Sequence, residues 1–240
     1  MIKRLSEVLI FFLIPFADSF GCFLPDNRNG KEFQDTLQGK QFIYNGRIWR
    51  NPYSRIRGDA YFLTGDFING RVHFNDKVYD NLKLKYDTHS DEVILFVNPL
   101  TIIILNKELT DRFILEYEGK EYCIINLGMD TAVTVNGYIN LLYEGKVSFY
   151  VKYIKKIEPL AEEKIFDRFY GTHRMYLKRD SLFLPFFTKR GILRIMEDRE
   201  PEVKDFIKMQ KLILSGKDPY SFIPLIRFYD SLQRTKPVLK

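Results

Sequence analysis

The densest cluster of chemistry-bearing side chains is Asp87-Thr88-His89-Ser90-Asp91-Glu92, which packs three carboxylates, two hydroxyls and an imidazole into six residues. Oxygen ligands crowded into one loop are what Ca²⁺ requires, and His89 would add a nitrogen. The glycine and the ligand spacing of an EF-hand loop are missing. Asp, Ser and His are also the residues that a strand-connecting turn favours, because their side chains bond their own backbone. A turn is therefore the expectation, and no metal or other cofactor is assigned. A second group is the arginine and aromatic run of Arg47, Trp49, Arg50, Tyr53, Arg55 and Arg57. Such a run can stack on sugars or bases, or clamp phosphates. If it is a strand, its period of two instead turns Trp49 inward and leaves the arginines in water. The candidate ligand or surface contacts are Arg47, Trp49, Arg50, Asp87, His89 and Asp91.

Catalytic signatures are absent. The chain holds no G-x-S-x-G, H-E-x-x-H, P-loop, dinucleotide-binding or C-x-x-C pattern. Its histidines are His73, His89 and His173, and its cysteines are Cys22 and Cys123. Cys123 lies in an alternating apolar stretch and reads as a small buried residue. Two cysteines give no disulfide framework, and the expectation is that Cys22 and Cys123 are not bonded. No catalytic residue is assigned, and the chain reads as a binding module rather than an enzyme.

The elements that must position these residues are mostly strands. Tyr and Phe are abundant, which favours strands over helices. Gln41–Tyr44 and Arg47–Arg50 flank Asn45-Gly46, a pair suited to a type I′ hairpin turn. Ala60–Thr64 reads as a short strand. Arg71–Phe74 and Lys77–Tyr79 flank Asn75-Asp76 as a second hairpin. Leu82, Leu84 and Tyr86 alternate with lysines, the period of a half-buried strand. Val93–Val97, Ile102–Leu105, Arg112–Tyr117, Glu121–Leu127, Val133–Tyr143 and Lys146–Ile157 continue the series, with turns at Glu118-Gly119-Lys120 and Glu144-Gly145. A last hairpin joins Met175–Lys178 to Leu182–Phe186. Past Thr188, a helix N-cap, the apolar spacing changes to that of helices. Pro201 suits the first turn of one of them, and Asp218 or Ser221 caps the last. The expected fold is β-rich α+β: an antiparallel hairpin or meander sheet, or a barrel-like sandwich, followed by short C-terminal helices.

The ends suggest an address. Lys3 and Arg4 precede an apolar run from Val8 to Ala17, about ten residues long, where a bilayer span needs roughly 20. Small residues follow at Ala17, Ser19 and Gly21. Together these form a secretory pattern, so residues 1–21 are read as a cleavable signal peptide. Cys22 then falls at the junction and becomes a candidate lipidation site, although Ser19 and Phe20 depart from a lipobox. The expected organisation is a linker over 22–40, an antiparallel β domain over 41–187 and a basic helical segment over 188–240. Residues 22–150 carry 15 Lys and Arg against 17 Asp and Glu, whereas residues 151–240 carry 20 against 12. The excess positive charge belongs to the C-terminal part and suits an anionic surface or acidic partner.

The stretch Tyr44-Asn45-Gly46-Arg47-Ile48-Trp49-Arg50-Asn51, the run from Gly70-Arg71-Val72 to Asp91-Glu92-Val93, and that from Asn136-Gly137-Tyr138 to Tyr153 resemble a family of exported proteins common in Bacteroidota, with no assigned activity. Met175-Tyr176-Leu177 and the helices after Thr188 share the likeness. The resemblance implies a periplasmic or outer-membrane setting and carries no catalytic residues. The functional expectation is an exported cell-envelope module that docks an envelope protein or an anionic membrane surface, neither an integral membrane protein nor a nucleic-acid binder. The alternative is a secreted hydrolase or carbohydrate-binding protein, with Asp87 and Asp91 acting near Trp49.

Overall fold

The computed structural model describes residues 42–128, 135–159 and 167–234. The signal segment, Cys22, the linker and Thr235–Lys240 lie outside these. The described chain is a single antiparallel sheet of eleven strands: β1 (Arg47–Ile48), β2 (Ile68–Phe74), β3 (Lys77–Asp87), β4 (Glu92–Asn98), β5 (Thr101–Ile104), β6 (Thr110–Tyr117), β7 (Lys120–Asn126), β8 (Tyr138–Tyr143), β9 (Val147–Glu158), β10 (Arg168–Arg179) and β11 (Leu182–Phe186). The spatial order β1-β5-β4-β3-β2-β6-β7-β8-β9-β10-β11 is a meander from β6 onward, with a reversed β2–β5 run before it. Three helices follow: α1 (Lys189–Ile195), α2 (Glu200–Met209) and α3 (Ile223–Arg234). The β-rich α+β expectation holds.

Turn chemistry places most hairpins where the residues suggest. Asn75 and Asp76 both take positive φ (49° and 59°) between β2 and β3, as do Glu118 and Gly119 (50° and 72°) between β6 and β7. That is the backbone a tight hairpin needs. Asn45-Gly46 is different. Neither residue has positive φ, and Asn45 N–H bonds the Phe42 carbonyl within a local turn. β1 pairs with β5, through Arg47 opposite Ile104 and Ile48 opposite Ile103. Gly46 is small because a Cβ there would stand 2.3 Å from the Ile104 carbonyl oxygen. Ala60–Thr64 is not a strand either: only Tyr61 bridges to Asp87, and Leu63 has φ 67°. The segment turns Phe62 into the core instead.

The sheet has one main buried face carrying two cores. Val72, Leu84, Leu95, Ile103, Phe113 and Tyr138 form the first. Phe149, Val151, Met175 and Leu177 begin the second, which α1–α3 complete with Ile192, Val203, Ile207, Phe222, Leu225 and Tyr229. Strand periodicity puts both on one side, since Asn140 pairs with Val151 and lies two residues from Tyr138. The helices therefore share the core of β8–β11. Thr188 caps α1 by accepting from Gly191 N, Pro201 opens α2, and Asp218 caps the 3₁₀ turn leading into α3. Asp230 of α3 is buried and accepts from Val147 N at 2.9 Å and from the Tyr143 hydroxyl at 3.0 Å. It thus ties the last helix to the β8–β9 hairpin.

Cys123 is disulfide-bonded, which corrects the expectation of an unbonded thiol. The chain's other cysteine is Cys22, outside the described residues.

Gly70 sits at the irregular step of the β2–β3 ladder, and a Cβ there would meet the Ile114 carbonyl oxygen at 2.3 Å and Leu84 Cδ1 at 2.8 Å. Backbone cannot yield as a side-chain tip does, so Gly70→Ala is expected to cost about 2 kcal/mol in urea unfolding. Gly65, with nothing within 4 Å of its would-be Cβ, is the control: Gly65→Ala should change stability by less than about 0.5 kcal/mol.

Candidate functional site

The turn between β3 and β4 is built as its residues suggest. The Asp87 carboxylate accepts from the backbone N–H groups of His89 (2.8 Å) and Ser90 (3.0 Å), an Asx turn. Its second oxygen accepts from the Tyr53 hydroxyl at 2.8 Å. Burial, and then that bond to Asp87, push the Tyr53 phenol above its ordinary range. His89 is exposed, and its Nδ1–H donates to the Lys155 carbonyl at 3.0 Å. Its ring packs edge-on against Tyr53 and Phe169. Asp87 and His89 are thus tied into the turn.

Asp91 has a different role. With φ 60°, it aims its carboxylate into the protein, where four donors converge. Lys107 Nζ lies 2.5 Å away, Lys152 Nζ 2.8 Å, the Tyr86 hydroxyl 2.7 Å and Tyr138 N 3.2 Å. These partners come from β3, the turn before β6, the start of β8, and β9. Gly137 passes so close that a Cβ there would overlap Asp91 Oδ2. Burial alone would raise the Asp91 carboxyl's pKa; the charge of Lys152 and the bonds from Lys107, Lys152 and Tyr86 outweigh it and hold the group below the ordinary carboxylate range. Burial lowers Lys152, against the pull of Asp91. A carboxylate so fully engaged is poorly suited to take a proton from a substrate.

The remaining sequence candidates are scattered. Arg47 is mostly exposed and pairs with Glu92 at 2.5 Å. It lines a cleft of about 360 Å³ with Asn45, Asp91, Glu92, Asn106 and Lys107. Trp49 is half-buried beside β5, through a bond from its N–H to the Ile102 carbonyl. Arg50 is exposed. A second cavity, of about 300 Å³, opens on the other side of the turn between Asp59, Tyr61, Phe62, Tyr153, Lys155 and His173. Among the described residues no group of three or more His, Cys, Asp or Glu side chains is placed to hold a metal ion.

The residues that sequence reasoning missed lie on the helical cap. α2 ends in a Schellman motif: Lys211 N bonds the Lys208 carbonyl and Leu212 N the Ile207 carbonyl. Lys211 occupies the left-handed position, φ 50°. Leu212 packs back on the second core, and Ile213 is left 88 % exposed, with Met209 at 66 %. Gly216 abuts the Phe187 backbone, where a Cβ would come 2.3 Å from the carbonyl oxygen. That contact sets the backbone of Phe187, whose side chain is 53 % exposed, beside the loop that follows α2. The exposed cations Lys208, Lys211, Lys217 and Lys189 flank these apolar side chains in the chain. Beside α1, a shallow groove of about 650 Å³ adds Arg190, Arg194 and Lys204, set against Glu197 and Glu200. Met209 ends α2 off the face that buries Val203 and Ile207, and Ile213 lies beyond the helix; that break in the apolar period is the one signal that could have marked them.

Asp91→Asn would leave Lys152 without its counter-charge and is expected to cost about 3 kcal/mol at pH 7. The folded pKa of Asp91 lies below its unfolded value. Its stabilisation is therefore complete above about pH 4 and disappears as the pH falls through the folded value. Urea unfolding of both proteins across that range should show the gap closing in acid; a gap independent of pH would contradict the assignment.

The comparisons with known proteins add no ligand to this geometry: no family model, no curated protein and no solved structure matches the chain.

Proposed function

We propose that this protein is an exported docking module whose helical cap seats on an anionic lipid surface of the cell envelope. The observation that carries the reading is that Phe187, Met209 and Ile213, all exposed on the helical cap and its approach, each stand within two residues of an exposed lysine: Lys189, Lys208 and Lys211 in turn. Apolar tips that enter the headgroup boundary, ringed by cations that meet anionic headgroups, are the pattern of an interfacial anchor. An acidic protein partner would also attract the lysines and bury the same apolar side chains; binding to protein-free vesicles separates the two. Among the described residues no helix is long and apolar enough to cross a membrane, so the contact proposed is peripheral. Asp87 and Asp91, the acidic pair of the hydrolase alternative, already hold structural bonds, which favours docking over hydrolysis.

The disulfide at Cys123 supports export, because such bonds persist in oxidising compartments. It also bears on lipidation. A Cys22 sulfur bonded to Cys123 cannot also carry a lipid thioether. Non-reducing peptide mapping of the secreted protein is expected to yield a Cys22–Cys123 peptide and no acylated N-terminus. An acylated Cys22 would overturn the pairing while leaving export intact.

The test of docking is co-sedimentation with phosphatidylcholine vesicles, with and without phosphatidylglycerol. Binding is expected only with the anionic lipid, and it should weaken as salt rises. Deleting residues 188–240 would strip the second core, so point variants are needed. Ile213→Asp should abolish binding. Lys211→Gly separates binding from folding. Glycine relieves the left-handed strain and should raise stability by up to about 1 kcal/mol, while loss of the cation should weaken binding about fivefold. Equal binding to neutral vesicles, or full binding by Ile213→Asp, would defeat the proposal.

A further inference from the structure

The two large cores lie on one side of the sheet, yet part of the other side is buried too. Phe113, Leu115 and Ile124 point into the first core. Ile114 of β6 and Cys123 of β7 stand opposite one another and face away from that core, because successive residues of a strand alternate. Ile114 is nevertheless 1 % exposed and Cys123 5 %. On β2 the residues of this outer face are Arg71, opposite Ile114, and His73, opposite Arg112. Arg71 bridges to Glu121 at 2.6 Å, and two such long side chains can shade Ile114 between them. They do not account for His73, whose Nε2 is sealed from water without a hydrogen-bond partner. Glu116 of β6 and Lys83 of β3, on the same face, are exposed. What is sealed is therefore a band from Cys123 through Ile114 to His73, and not the whole outer face.

Two fixed points bracket that band. At one end Cys123 is disulfide-bonded, and within the chain its partner can only be Cys22. At the other end Phe42 stands beside the β2–β3 turn, with its ring centre 5.4 Å from Lys77 Nζ, and Lys77 follows His73 by four residues. Between Cys22 and Phe42 lie 19 residues. From β7 across β6 and β2 to β3 is three strand spacings, about 14 Å, whereas 19 residues reach about 60 Å when extended. The direct route runs over Ile114 and His73, along the sealed band. Phe23 and Leu24 follow Cys22 immediately, so the disulfide delivers two apolar side chains next to Ile114.

We propose that residues 23–41 form a strap seated across the outer face of β6 and β2, pinned at Cys123, with Phe23 and Leu24 over Ile114. The inference rests on the Cys22–Cys123 pairing and not on lipid docking. The strap holds the start of the mature chain against the sheet face that the helices leave uncovered. Opening the disulfide takes two electrons and two protons from a dithiol, which closes to its own disulfide and leaves two thiols on the protein. The strap then keeps only its apolar contacts and lifts from the band.

The test uses the full mature chain, oxidised, with labelled isoleucine methyl groups. Nuclear Overhauser contacts are expected between the Ile114 δ-methyl and protons of residues 23–41, and this arm needs no variant. Trypsin should cut after Arg28, Lys31 and Lys40 at least about tenfold more slowly than after treatment with dithiothreitol. Cys123→Ser should match the reduced protein, and Ile114→Ala should speed cleavage severalfold with the disulfide intact. A peptide map lacking the Cys22–Cys123 peptide removes the pairing and the strap together. Where the map shows the pairing, cleavage as fast before reduction as after it, or an Ile114 methyl without contacts to residues 23–41, overturns the strap alone. Ile114 contacts found only between differently labelled molecules would assign the cover to a second copy and overturn it as well.

Discussion

The structure depends on one half-buried carboxylate. Asp91 belongs to a turn of β-hairpin residues, but its charge is neutralised by Lys107 and Lys152, and Lys152 lies on β9, five places from β3 in the sheet. A flat sheet could not bring these together. The β3–β4 turn reaches β9 because the sheet curls over its first core, and other contacts follow the same closure: Lys155 N bonds the Thr88 carbonyl, Lys155 Nζ pairs with Asp59, and Phe62 packs on Tyr153 at 4.7 Å. The Coulomb attraction of one anion for two cations in a partly dry site is what a curled sheet gains over an open one. Removing any one of the three charges leaves the others desolvated and uncompensated.

Curvature has a consequence further along. The two cores meet on one sheet face, and the seam between them runs past Tyr138, Asn140 and Leu142, assigned to the first core, neither core and the second in turn. Tyr153 packs against both. A polar amide at such a seam interrupts what would otherwise be a continuous apolar surface. The helical cap then closes the second core only, with Asp230 fixing it to the β8–β9 hairpin. The cap is thereby held rigidly enough for the end of α2 to present Met209 and Ile213 outward, where burial in the fold gains nothing and contact with an apolar phase gains much.

Much of this was legible in the residues. Asn75-Asp76 and Glu118-Gly119 announced hairpins because few residues tolerate two successive positive φ angles. Leu82, Leu84 and Tyr86 showed their buried face by alternation. Thr188, Pro201 and Asp218 marked helix starts through the backbone groups they satisfy or omit. What was not legible depended on distance in the chain. Asn45-Gly46 carries the same dipeptide signal as a true hairpin, yet its glycine serves a close approach to β5, more than fifty residues on. Asp91 looked like one more turn carboxylate; only the arrival of Lys107, Tyr138 and Lys152 turns it into a half-buried hub. Ile213 became conspicuous only once the Schellman end of α2 showed where the period stops, and Asn140 only once Tyr153 and Tyr220 arrived beside it.

The central claim is that Ile213 and its neighbours enter the apolar part of an anionic bilayer. The most direct measurement places the protein's sole tryptophan there, as Ile213→Trp in a Trp49→Phe background, and reads its fluorescence with vesicles of brominated lipids. Insertion predicts strong quenching on anionic vesicles and none on neutral ones. Fluorescence unchanged on both would contradict the claim and leave the helical cap as a solvated surface.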